Sequence, residues 1–434
     1  MFDPLSRSFH RGESEGGPHA GFKAFRFWNP EGAPLKTPVA NDWWPRFSDQ
    51  EYERRYANVR SAMSERGLDA LLIYGGSIYF GTDPGAPNLV YLTGYAPACH
   101  GYLLLPLEEE PTLLVYVPGH LKNAIEMSLV EDVRAGNDLI GNAFRRFSEL
   151  GTLPEQVGYV GNFGFARVTI PYEHHQELTT RMPDTKFEDA TAWYERDRLV
   201  KSGEELVQMR EGGRMTDHAH ILLRERTRPG ITDVSLQMAV VNDVHQLSGR
   251  LPFSHVGSTS MRASEAFYPS FYSTNRVIQR GDVVLTELAA GPGGYFGKIY
   301  GTLAIGEPTP AYRTMFELAS GIYKAIYDYA KPGMTISDVD AVLNGGAAAR
   351  GFHSLSYISG WSNYNTPPSI KALGDHDQQF IELAPGLCLN IAGWVVDNER
   401  RSGVWLGDTA VVTEHGLESL HSYPVADLEH VILE

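Results

Sequence analysis

The stretch Gly281–Gly306, GDVVLTELAAGPGGYFGKIYGTLAIG, decides how the chain folds. An apolar run, Val283, Val284 and Leu285, is interrupted by Glu287; a Gly-rich turn follows, and Ile299–Ile305 returns as a second apolar segment. Two such runs joined by a Gly-rich turn predict a β-hairpin. A carboxylate in so apolar a strand costs several kcal/mol unless it is paired. Glu287 therefore requires a partner, and Lys298, at the start of the return strand, is placed to be one.

Around this hairpin lies a chain of 434 residues, 42% hydrophobic and 21% charged, enough for two globular domains. A net charge of −16 makes nucleic acid and anionic membranes poor partners. Cys99 and Cys388 are the only cysteines, which excludes a disulfide framework and a cysteine zinc site and fits a reducing compartment. No apolar run reaches the roughly 18 residues of a membrane span, and Met1–Gly21 lacks the apolar core of a signal peptide. A cytoplasmic protein is expected.

Residues 1–46 are rich in Gly, Pro, Ser and aromatics without helical or strand period, and read as an extended arm. A helix opens at Ser48, whose hydroxyl can cap while Glu51 reaches back, with Phe47 and Tyr52 as a hydrophobic staple. Leu68–Tyr74, Gly101–Pro106, Thr112–Val117, Val157–Tyr159 and Lys186–Asp189 then alternate with helical segments, the pattern of an α/β domain. From Glu204 to Arg224 the spacing is helical. Arg228–Thr232, RPGIT, and Lys331–Thr335, KPGMT, form a weak internal repeat, each expected to lead into a helix.

These phrases resemble the pita-bread family, which includes methionine aminopeptidase, Xaa-Pro aminopeptidase, prolidase and creatinase. Leu68–Ile73 followed by Asn88–Tyr95 is similar to the amino-terminal domain of the creatinase and prolidase branch. Arg198–Glu205 looks like the opening of its catalytic domain, and the hairpin resembles the first metal-ligand hairpin. The resemblance covers nearly all the chain except the aromatic arm over 1–46, and implies a creatinase-type α/β domain over 47–192 and a pita-bread catalytic-type domain over 193–434. The pseudo-twofold pita-bread architecture also accounts for the internal repeat.

In the family's metallopeptidases, five side chains hold divalent metals. By the resemblance the first position is Glu287 and the second Lys298. The third, a histidine, falls on Tyr357 within Leu355–Gly360; the fourth, a glutamate after Pro385–Gly386, falls on Ala392; the last falls on Gly407, before Asp408. The neighbouring family histidine falls on Tyr364. A cation stands where an anion is needed and only one carboxylate is kept, which argues against a metal centre. A one-residue slip at Asp408 would restore only one more.

Within the family, creatinase and ectoine hydrolase are metal-free and hydrolyse a C–N bond of a small guanidine or cyclic amidine. Ectoine hydrolase resembles this chain at Glu287 and in the phrase Leu355–Trp361, whereas the histidine that creatinase uses for proton transfer falls on Ser270. The resemblance implies a metal-independent C–N hydrolase or lyase with no cofactor, a small-molecule substrate and a homodimeric assembly. Glu287, Lys298 and Tyr357 are the expected catalytic positions. Ser270, Tyr364, Arg262, His353 and Trp361 are the expected substrate-binding ones, with His255 as a further candidate and Trp361 and Trp394 as a possible cage for a cation. Burial would raise the Glu287 pKa and Lys298 would lower it. Two alternatives stand beside this reading: a catalytically silent pita-bread binding module, with Glu287 and Lys298 as a structural salt bridge, and an Xaa-Pro-type metallopeptidase.

Overall fold

The computed structural model of the protein describes residues 46–76, 86–97, 99–151, 153–161, 170–360, 381–427 and 429–431. The expected arm before Arg46, together with Trp361 and Tyr364, lies outside the described residues.

The first sheet collects the apolar segments of the amino-terminal part: β1 (Ala70–Gly76), β2 (His100–Pro106), β3 (Thr112–Val115), β4 (Asp132–Ala135), β5 (Gln156–Val160) and β6 (Lys186–Asp189). They lie in the order β4, β3, β2, β1, β5, β6, with β2 antiparallel to both neighbours and the other pairs parallel. Apolar side chains alternate to both faces, Leu71, Ile73, Leu103 and Leu113 into one core and Leu72, Leu104, Leu114 and Val157 into the other, as a sheet covered by helices on two sides requires.

The second sheet has nine strands: β7 (Arg250–Ser260), β8 (Asp282–Gly291), β9 (Gly297–Ile305), β10 (His353–Ser354), β11 (Tyr357–Gly360), β12 (Cys388–Val396), β13 (Gly403–Thr413), β14 (Gly416–Ser419) and β15 (Glu429–Val431). Its main path runs β10, β12, β13, β9, β8, β7, with β11 on β12, β14 on β13 and β15 on β9. The expected hairpin is β8–β9. One face is covered by three helices. Gly203–Arg226 and Asp233–Gln246 pack Leu223, Leu236 and Val240 on Val284, Leu288 and Leu303, and Pro310–Tyr329 packs Ala319 and Ile322 near Ile391 and Leu406. Among the described residues no helix is long and apolar enough to cross a membrane.

The internal repeat is structural. In RPGIT, Gly230 takes φ 92° and its N–H donates to Ile278 O; in KPGMT, Gly333 takes φ 84° and donates to Leu383 O. Thr232 and Thr335 each cap the helix that follows, and each forms an isolated antiparallel bridge, to Val277 and Glu382. The same local chemistry is used twice in the carboxy-terminal part, although the second helix, Ile336–Val339, lasts one turn.

The first helix, Asp49–Glu65, differs from expectation at its cap. Ser48 Oγ accepts from the Glu51 N–H at 3.1 Å, and Phe47 meets Tyr52 edge-on, as a staple should. The Glu51 carboxylate, however, is taken by Arg54 and Arg55, and the Ser48 N–H donates instead to Glu204 at 2.8 Å. The second half of the cap thus comes from the carboxy-terminal part of the chain. Arg55, buried, extends this junction: it donates to Glu51 and to Tyr91 O, approaches Glu205 at 3.4 Å, and lies over the rings of Phe47 and Tyr91.

The helix Gly203–Arg226 reaches the hairpin because its contact residues are glycines. A Cβ on Gly297 would lie 2.6 Å from Gly213 Cα, and one on Gly212 would lie 2.6 Å from Tyr295 O. Both neighbours are backbone and cannot swing away. Gly297→Ala is therefore expected to lower the unfolding free energy by roughly 1–3 kcal/mol, read by chemical denaturation.

Candidate active site

Antiparallel register decides which side chains share a face. His255 on β7 pairs with Glu287 on β8, Glu287 with Tyr300 on β9, Tyr300 with Gly407 on β13, Gly407 with Ala392 on β12, and Ala392 with Tyr357 on β11. Six strands thus place one residue each in a single row across the face opposite the three helices. Lys298, two residues before Tyr300, points to the same face and forms an ion pair with Glu287 Oε1. The structure therefore brings Glu287, Lys298 and Tyr357 onto one face with Ala392 and Gly407.

The ion pair is the centre of this face. Both side chains are only 5% exposed. Glu287 Oε2 accepts from the Tyr268 hydroxyl at 2.6 Å and lies 3.2 Å from His255 Nδ1. Burial by itself would raise the Glu287 carboxyl, but the Lys298 charge and the donors from His255, Lys298 and Tyr268 outweigh it and hold the group down to about 2. The Lys298 ammonium also sits over the rings of Phe253, at 4.0 Å, and Tyr300, at 5.0 Å. Burial and the Glu287 charge push the phenols of Tyr268 and Tyr357 upward, so both stay protonated donors at neutral pH.

Aromatic rings line the rest. Trp405 stacks on Tyr300 at 4.2 Å and on Trp394 at 4.8 Å, Tyr268 leans on Trp405 at 4.9 Å, and Tyr357 meets Tyr300 edge-on at 6.0 Å. The loop carrying Tyr268 is pinned by Trp394 Nε1, which donates to Phe267 O.

Other expected site residues stand elsewhere. Ser270 is exposed, its hydroxyl donating to Tyr272 O at 2.7 Å, and the contact expected of it falls to Tyr268, two residues earlier in the same phrase. Arg262 is exposed just beyond β7. His353 is exposed on β10, opposite Val396, four residues or about 13 Å of strand from Tyr357. Asp408 is no slipped ligand: it faces the helix Pro310–Tyr329, where it accepts from Tyr323 at 2.9 Å, Tyr327 at 2.6 Å and Ser419 at 2.5 Å. Sequence reasoning missed Tyr268, Tyr300 and Trp405. Tyr300 was legible as the residue two after Lys298, since strand period two gives both the same face.

A pair of divalent cations needs several anionic oxygens. The five positions expected from the resemblance offer one carboxylate already engaged by an ammonium, a phenol, a methyl group and no side chain at Gly407. A side chain does not fit there: Gly407 has φ 153°, and an added Cβ would collide with the carbonyl oxygen of Ile391. These residues do not fit a dinuclear metal centre. Among the described residues no group of three or more His, Cys, Asp or Glu is arranged to hold a metal ion.

Removing either member of the pair leaves a buried charge uncompensated. Glu287→Gln or Lys298→Met alone should cost about 3–5 kcal/mol of stability, and the double variant less than the sum of the two, measured by denaturation in a double-mutant cycle. The Glu287 pKa is about 2 in the folded chain against an ordinary 4.5. Because it is depressed on folding, its stabilisation is present in full above about 4.5 and fades as pH falls towards 2. The wild-type stability should therefore drop more steeply than that of Glu287→Gln between pH 5 and pH 3.

Residues 55–200 match the Creatinase/Prolidase N-terminal domain, and residues 207–414 match Metallopeptidase family M24. The chain is 21% identical to an uncharacterized peptidase, YqhT, of Bacillus subtilis, over 84% of this chain and 97% of that one. It is 22% identical to the ectoine hydrolase of Halomonas elongata, over 87% and 97%. The X-Pro aminopeptidase structure from Thermotoga maritima superposes with a TM-score of 0.73 at 18% identity, covering 87% of this chain and 99% of that one. With both domains matched in order and the fold shared, the chain is a two-domain α/β protein in which a creatinase-type amino-terminal domain precedes a pita-bread M24 domain.

Proposed function

We propose that this protein is a metal-independent hydrolase that cleaves a C–N bond of a small guanidine- or amidine-like molecule. The observation that carries the reading is the buried ion pair of Glu287 and Lys298; the resemblance puts these two at the family's first two metal positions, and Ala392 and Gly407, paired across neighbouring strands, at two others. Substituting fixed protein charges for metal charge leaves a polarised site without a Lewis acid. The rings of Tyr268, Tyr300, Trp394 and Trp405 pack on one another beside the pair and keep water from it, which strengthens its field. Glu287 supplies the negative charge a cationic guanidine or amidine needs, and Lys298 and Tyr357 supply donors for charge that develops on a leaving nitrogen. The similarity to ectoine hydrolase over most of the chain agrees with this chemistry.

Glu287 is a poor proton acceptor in this reading, since a carboxylate held near 2 has little affinity for a proton from water. Its part is electrostatic.

A binding module is the second reading, favoured by the stack of Trp394, Trp405 and Tyr300, which fills part of the face with packed rings. Turnover of a panel of guanidines, cyclic amidines and Xaa-Pro dipeptides in excess EDTA, followed by mass spectrometry, separates the readings. Product from a guanidine or amidine under chelation is the expected result. Dipeptide cleavage that appears only on adding Mn²⁺ would overturn it in favour of a metallopeptidase, and silence throughout would favour the binding module.

A further inference from the structure

We infer that His255 is the residue that moves the proton in this site, an imidazole base oriented by Glu287. The inference rests on the hydrolase reading above and names the group that reading leaves open.

His255 sits on β7 directly opposite Glu287, in the same row as the family's ligand positions. Its Nδ1 lies 3.2 Å from Glu287 Oε2. An ionised carboxylate only accepts, so Nδ1 carries the hydrogen and Nε2 of the neutral ring carries the lone pair. Among the described residues Nε2 has no hydrogen-bond partner. The ring is set edge-on between Phe253, at 5.3 Å, and Phe271, at 4.7 Å, and its side chain keeps 12% exposure. A base held by an acidic partner through one ring nitrogen, with the other left to a substrate or water, has the arrangement of a carboxylate–histidine pair in hydrolases.

The other groups on this face are unsuited to the task. Lys298 is an ammonium paired with Glu287, and Tyr268 spends its hydrogen on the same carboxylate. The Tyr357 phenol holds its proton at neutral pH. Among the described residues of this face, His255 alone combines a ring nitrogen lone pair with a counter-charge for the imidazolium that forms.

The step balances without a co-reactant. Nε2 takes a proton from water as the water oxygen bonds to the amidinium carbon, and the C=N π pair moves onto nitrogen. The imidazolium then gives its proton to the departing nitrogen as the C–N bond breaks, and the hydroxyl hydrogen of the adduct leaves with the amine. One cation and one water yield a neutral carbonyl product and an ammonium, with His255 neutral again. Glu287 stays ionised throughout and acts on the reaction through the ring it holds.

The test is turnover of the guanidine and amidine panel in EDTA by the wild type, His255→Gln and Glu287→Gln, each across pH. His255→Gln should lower kcat/KM by about 10²–10⁴-fold. Wild-type turnover with His255→Gln within threefold overturns this role and leaves the hydrolase reading standing. A wild type inert to the whole panel overturns both. A check that does not depend on the variant folding is ¹⁵N NMR of histidine-labelled wild type. A His255 with hydrogen on Nδ1 and a bare Nε2 supports the role, and the Nε2–H tautomer overturns it.

Discussion

A carboxylate and an ammonium facing each other across two adjacent strands, both shut away from water, govern what the second sheet can be. Each charge would be costly alone at that depth, and together they fix the hairpin's register, because a one-residue slip would send Glu287 or Lys298 to the helix-packed face. Tyr268 brings the β7–β8 loop onto the pair, His255 brings β7, and Phe253 and Tyr300 offer their rings to the ammonium. The pair therefore sets where the loop lies and which rings form the walls.

Much of this was legible in the sequence because it follows from period and composition. The hairpin, the pairing of Glu287 with Lys298, the alternation of the first domain and the twice-used Pro-Gly phrase are all local signals. What was not legible depended on distant register. Whether Gly407 or Asp408 faces the site depends on how β13 pairs with β9 and β12, and no neighbour in the chain reports it. Ser270 was reached by counting from the hairpin in a loop with no strand period, and the loop turned Tyr268 inward in its place. The half of the Ser48 cap assigned to Glu51 failed for a similar reason: Arg54 and Arg55 compete for that carboxylate, and Glu204, 156 residues away, fills the gap.

The junction at Arg55 shows how the two halves share polar groups. One buried guanidinium satisfies acceptors from the first helix and Tyr91 while approaching Glu205 at the start of the helix that presses on the hairpin. Since that helix touches the hairpin through glycine backbone, tilting it would be felt directly at β8 and β9. The amino-terminal part thus belongs to the mechanical support of the site.

The bare backbone at Gly407 bears on what substitution can reach. Glu287 and Lys298 differ from a metal-binding pair by side chains that substitution can exchange. At Gly407 the strand itself has closed over the space a glutamate would need, with the Ile391 carbonyl in the way. Placing a carboxylate at this point of the row by a single substitution would demand a backbone rearrangement first, because the obstacle is a neighbouring strand's main chain. Position 407 is thus closed to side-chain chemistry of any kind, while positions 287 and 298 stay open to exchange.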